Sequence, residues 1–252
     1  MQTRNVPETG PRYWAAISLA SMFGANMGDF IARFLHLGHA NGLGPLALIF
    51  AALLLVERRA RLATEAYYWF AIVIVRTAAT NLADLATHDF KLDYPAVLAG
   101  LAVLLVGVLA LERGLTARGG APIRGLPATT GWYWAAMLIA GTLGTAAGDY
   151  AADDLGLGLY WGSLVLSALL AFMLAIRARP AWDTKASYWT TIVAVRTAGT
   201  TVGDLLASTR HGIGLGLPVS TPLTGLALLA TLVLWRRAPR DLSAADPARS
   251  AP

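Results

Sequence analysis

Four aspartates stand at one fixed distance from four tryptophans. Asp29, Asp84, Asp149 and Asp204 each lie fifteen residues after Trp14, Trp69, Trp134 and Trp189, and each Trp follows a tyrosine: Tyr13, Tyr68, Tyr133 and Tyr188. Two of the four segments add an arginine seven residues after the Trp, Arg76 and Arg196, where the other two have Ser21 and Gly141. The surrounding sequence is apolar, as in "TIVAVRTAGTTVGDLL". Carboxylates kept in such territory are expensive, and they mark proton or cation pathways. Asp29, Asp84, Asp149 and Asp204 are therefore candidate ion or proton carriers, with Arg76 and Arg196 as charge-balancing partners. Four Asp against two Arg leave two negative charges in excess, which protons or bound cations must neutralise.

The elements that position these groups are long apolar helices. The chain has 252 residues, 56% hydrophobic and 14% charged, against about 25% charged in soluble domains. Stretches such as "LAGLAVLLVGVLALERG" approach the roughly 20 helical residues that cross a hydrocarbon core. Short alternating segments, the mark of a β-barrel, are missing. The expected fold is all-α: a polytopic membrane protein of eight transmembrane helices, arranged as four parallel helical-hairpin repeats. The spans are placed near 13–34, 42–57, 66–87, 95–112, 132–152, 157–176, 187–207 and 217–235. Pro45, Pro95 and Pro218 are expected in first helical turns.

The repeats pair up. Copies one and three share Ser21 or Gly141, copies two and four share arginine, and the offset between the members of a pair is 120 residues. This predicts two pseudo-symmetric four-helix halves, 13–112 and 132–236, joined by a Gly/Pro/Arg-rich cytoplasmic linker at 113–131. Residues 1–12 read as a cytoplasmic N-terminal segment without a signal-peptide core, and 237–252 as a disordered cytoplasmic tail. Loop Lys and Arg gather on one side, Arg12, Arg58, Arg113, Arg177, Lys185 and Arg236 among them, against Arg33, Lys91 and Arg210 on the other. Both termini are therefore expected in the cytoplasm.

Ten and fourteen residues after the Trp stand small residues: Gly24 and Gly28, Ala79 and Ala83, Gly144 and Gly148, Gly199 and Gly203. Such pairs let helices approach closely in lipid. At about 100° per residue, the Arg, small-pair and Asp positions fall within an arc of about 140°. Four inner helices presenting their aspartates to a common centre, with four apolar helices outside, is the simplest arrangement. The Tyr-Trp pairs read as interfacial anchors. Thr77, Thr80, Thr197, Thr200 and Thr201 either bond within their helices or line a polar path. His36, His39, His88 and His211 all fall in the predicted outer loops, a second candidate site for a transition metal at the outer mouth. No HExxH, GxSxG, phosphate loop or Cys/His cluster is present, so no enzyme, cofactor or nucleic-acid role is expected.

The segments "YWAAMLIAGTLGTAAGDYAADDLGLGL" and "YWTTIVAVRTAGTTVGDLL" resemble a bacterial family of membrane-anchored proteins built from a repeat of unknown function (domain of unknown function, number 347). The resemblance covers about residues 12 to 236 and implies a bacterial inner-membrane location. It implies no activity. Copy two departs from the pattern with "ATNLAD", which makes Asp84 the least tightly packed of the four. Two readings stay open. The first is a small secondary transporter or exporter of cations, coupled to protons. The second is a non-transporting scaffold or sensor, in which Asp and Arg act as interhelical glue. The bilayer is the partner expected in both, with a small cation as substrate in the first. The oligomeric state is not legible.

Overall fold

The computed structural model describes residues 6–59, 65–116 and 129–235, and among these it holds eight α-helices and no strand. They are α1 (Pro11–Asp29), α2 (His39–Arg59), α3 (Glu65–Asp84), α4 (Tyr94–Thr116), α5 (Gly131–Asp149), α6 (Gly158–Arg177), α7 (Lys185–Ala207) and α8 (Leu217–Leu234). Among the described residues, six stretches are long and apolar enough to cross a membrane: those of α1, α2, α3, α4, α6 and α8. α5 and α7 fall outside that set because Gly, Thr and charged residues dilute their apolar content. Pro95 and Pro218 stand second in their helices. Pro45 does not open its helix as expected: α2 begins earlier, at His39, and the proline lies within it. The linker residues 117–128, the tail 237–252 and the basic residues Arg4, Arg61, Arg118, Arg124, Arg236, Arg237 and Arg240 lie outside the described residues.

The odd helices form a closed inner ring. α1 packs on α3, α3 on α5, α5 on α7, and α7 on α1. The residues before and after the linker thus belong to one ring. The even helices lie outside it. Only 11% of the apolar stretch of α2, α4 or α6 is buried, against 56% in α1 and 61% in α3. Each even helix leans on the next odd helix: α2 on α3, α4 on α5, α6 on α7, and α8 on α1. In the first three repeats the two helices joined in sequence meet at their connecting turn rather than along their length.

The small residues close the ring, and they account for the glycine at position 141. A Cβ on Gly24 would strike the Arg76 side chain, at 2.7 Å from its Cβ, and one on Gly28 would lie 2.9 Å from Thr80 Cβ. Gly144 and Gly148 face Arg196, Thr197 and Thr201 in the same way, and Gly199 and Gly203 face Ser21, Met22 and Asn26. In the remaining contact the small pair is Ala79 and Ala83. The residue opposite Ala79 is then Gly141, whose added Cβ would come within 2.7 Å of the alanine's. One methyl is present on one side or the other, not on both.

After Asp29, Asp84 and Asp149 the helix widens into a π-helical turn: Phe30–Phe34, Leu85–Asp89 and Tyr150–Asp154. Each turn is followed by a left-handed residue seven positions after the Asp: His36 (φ 56°), Lys91 (φ 53°) and Gly156 (φ 67°). Such turns re-aim a chain at functional sites. In the fourth repeat α7 runs on to Ala207.

Candidate functional site

Every fourth residue of an inner helix points to the ring axis. The column runs Tyr13, Ile17, Ser21, Ala25, Asp29 in α1 and Tyr68, Ile72, Arg76, Thr80, Asp84 in α3. It continues as Tyr133, Met137, Gly141, Thr145, Asp149 in α5 and Tyr188, Ile192, Arg196, Thr200, Asp204 in α7. A row of fours is inclined about 26° to its helix axis, so tilted helices keep it facing inward. The molecule is thus layered along its axis, from a tyrosine end to an aspartate end.

At the tyrosine end the four hydroxyls form a closed cycle. The oxygen separations are 2.9 Å (Tyr13 to Tyr68), 2.7 Å (Tyr68 to Tyr133), 3.0 Å (Tyr133 to Tyr188) and 2.6 Å (Tyr188 to Tyr13). Each phenol donates once and accepts once. Each Trp stacks edge-on to its own Tyr and against the Tyr of a neighbouring helix, at centroid distances such as 5.2 Å and 5.8 Å around Tyr13. These Trp residues are 4–8% exposed, so they are wedges of a buried aromatic crown. The interfacial-anchor reading of the Tyr-Trp pairs is corrected on that ground.

Replacing Tyr188 by Phe is expected to destabilise the protein by about 1–2 kcal/mol, because Tyr13 and Tyr133 are left with unmet bonds. Replacing all four tyrosines should cost no more than one, since no stranded donor or acceptor remains. Thermal unfolding in detergent would check both; a fourfold additive loss would contradict the cycle.

At the other end all four aspartates line one cavity of about 510 Å³, with Thr80, Thr145 and Thr200 on its walls and Arg33, His88, Asp153 and His211 around it. The four sequence-predicted carboxylates are therefore brought together. Their nearest cation is not the expected one. Arg33 Nε lies 3.3 Å from Asp29 Oδ1, and Arg33 Nη2 lies 3.4 Å from Asp84 Oδ2. Arg33 stands four residues after Asp29, the i,i+4 spacing of a helical ion pair, a signal the sequence carries. Asp84 also meets His39 at 3.5 Å and His88 at 3.7 Å. Far from being loosely held, Asp84 is 2% exposed and has the most ionic partners of the four.

Arg76 and Arg196 are buried completely, and neither forms an ion pair within 4.0 Å among the described residues. Any charge balance they give the aspartates therefore acts at a distance, not through direct ion pairs. The Thr layer stands between them and the carboxylates. Arg76 donates to Ser21 Oγ (3.1 Å), Thr80 Oγ1 (2.8 Å), Thr145 Oγ1 (2.7 Å) and Thr200 Oγ1 (2.6 Å), one hydroxyl from each inner helix. The threonines thus divide. Thr80 and Thr200 line the polar path with Thr145, which sequence reading missed. All five sequence-predicted threonines bond carbonyls of their own helices, but Thr77, Thr197 and Thr201 do not accept from Arg76.

The histidines do not form the expected metal mouth. No group of three or more His, Asp or Glu among the described residues is disposed to hold a metal ion. His39 and His88 serve Asp84, and His39 Nδ1 also meets Asp89 at 3.1 Å. His36 is an exposed left-handed turn residue, and His211 stands at the cavity.

The fourfold pattern has a counterpart among known sequences. A family model described as Repeat of Unknown Function (DUF347) matches four times, over residues 12–62, 67–113, 132–181 and 187–241. No curated protein and no solved structure matches the chain.

Proposed function

The chain belongs to the family of this repeat, and on that premise we propose a secondary transporter or exporter of small cations, coupled to protons, set in a bacterial inner membrane. All eight helices span the bilayer in this reading. α5 and α7 do so despite their polar content because their polar faces turn to the ring. The four hairpins run parallel, with both termini and the tyrosine end in the cytoplasm. The exposed Leu48, Val103, Val106, Leu164, Phe172 and Leu226 of the outer helices are the lipid contact.

One observation carries the reading: four aspartates from four helices converge on a single open cavity. Such groups, set in an apolar span, are costly, and they mark ion or proton pathways. Aspartate oxygens and threonine hydroxyls are hard donors suited to small cations. The cavity is the entry vestibule. Arg76 and the tyrosine cycle are the closed inner barrier, and the cationic charge of Arg76 prevents an open leak of positive ions.

The test is flux in proteoliposomes, with a pH-sensitive dye inside and a panel of monovalent and divalent cations outside. Wild type is compared with the variant carrying Asn for Asp29, Asp84, Asp149 and Asp204. Cation-dependent proton movement, reduced at least tenfold in a variant that still elutes as a folded species, is the expected result. One observation favours the scaffold reading instead. Arg76 ties four helices together through hydroxyls, a bond set that fixes rather than moves. No flux from folded wild-type protein would select that alternative.

A further inference from the structure

We propose that Arg196 binds one small monovalent anion of the chloride class, in the layer between the arginines and the tyrosine cycle. The inference is independent of the cation reading. It starts from the accounting of Arg196. The residue is 0% exposed. Among the described residues its Nη2 has only the Met137 sulfur as a hydrogen-bond partner, at 3.9 Å, and no acceptor reaches Nε or Nη1. Met137 stands one turn from Tyr133, so the guanidinium is directed toward the tyrosine end. Its layer mates there, Ile17, Ile72, Met137 and Ile192, are 0% exposed and apolar.

A guanidinium stays protonated in proteins, and a buried charge is tolerated only when it is paired and hydrogen-bonded. The neighbours offer neither. The four tyrosine hydroxyls bond one another, and none accepts from the Arg196 guanidinium. The carboxylates lie about 12 Å further along the axis, two helical turns away. The nearest charged group adds to the problem: Arg76 Nη2 rests 3.5 Å from the Arg196 carbonyl, so two cations occupy adjacent positions. Arg76 is supplied with hydroxyl acceptors and Arg196 is not. A single anion on Nε and Nη1 satisfies the free donors and balances the pair. Apolar walls favour a weakly hydrated monatomic ion over a carboxylate or phosphate, which would need donors on several sides.

The full-length protein in detergent is exchanged into sodium gluconate, and its Tm is followed as chloride or bromide replaces gluconate at constant ionic strength. A saturating rise of roughly 5 °C is expected. It should be lost in Arg196→Met and retained in the surface control Arg179→Gln. An enclosed ion can resist exchange, so the same sample is denatured and its chloride counted by ion chromatography, with about one per chain expected. If Arg196→Met does not fold, diffraction from bromide-grown wild-type crystals replaces it, with an anomalous peak expected beside Arg196 Nε. A Tm indifferent to halide together with no chloride released on unfolding overturns the proposal. A tyrosinate absorbance signal at neutral pH also overturns it, because the cycle itself would then supply the negative charge.

Discussion

Gly144→Val is expected to prevent the inner ring from closing, with loss of more than about 3 kcal/mol, at the upper end of overpacking penalties. The reason is where the new atoms would go. A Cβ on Gly144 would lie 2.9 Å from the Thr197 backbone nitrogen and closer still to Arg196 Cβ. Neither is the free end of a flexible side chain, so relief requires α5 and α7 to separate. That separation would break the Tyr133–Tyr188 link and move Thr145 and Thr200 away from Arg76. Gly107 in α4 provides the control. It is also helical, but nothing lies within 4 Å of its Cβ position. Gly107→Ala should be neutral or slightly stabilising, because alanine is the better helix former by about 1 kcal/mol. Size-exclusion profiles and Tm of the two variants in detergent check the pair. A folded Gly144→Val protein with wild-type Tm would refute the close approach of α5 to α7.

Much of the site was present in the repeats themselves. The spacing from Trp to Asp found all four cavity carboxylates, and the small pairs found the helix contacts. Counting from Trp also misled. It merged the Arg, Asp and small positions into one broad face, whereas the structure splits them into two. The axial column starts at the tyrosine and recurs in fours, Tyr68, Ile72, Arg76, Thr80, Asp84 being one example. The glycines lie on the flank beside it. The tyrosines were visible at every position of the cycle, yet a single helix cannot reveal that four identical side chains meet. That requires knowing that the ring closes. The lean of each even helix onto the next repeat left no mark, because α4 is apolar all round and has no face to read. The π-helical turns were equally hidden. Of the left-handed residues that follow them, only Gly156 carries the usual glycine signal, and His36 and Lys91 do not.

Arg76→Lys is expected to be more damaging than Arg76→Met, although lysine keeps the charge. Arg76 holds α1, α3, α5 and α7 together because a planar guanidinium has five donors in a rigid fork. It uses them on Ser21, Thr80, Thr145, Thr200 and the Arg196 carbonyl. An ammonium has three donors at one point, so it cannot span those acceptors. It would leave a strongly hydrated charge in a dry layer beside Arg196, at a cost of about 3–5 kcal/mol for an uncompensated buried ion. Methionine removes the charge altogether. The hydroxyls it abandons have alternatives: Thr200 already donates to the Arg196 carbonyl at 3.0 Å and Thr80 to the Arg76 carbonyl at 3.4 Å. Its loss is therefore confined to the bridging bonds, roughly 1–2 kcal/mol after the regained desolvation. The expected order of Tm is wild type, then Met, then Lys. If lysine matches wild type, charge alone is what the position requires, and the five-donor bridge across the ring is not what stabilises it.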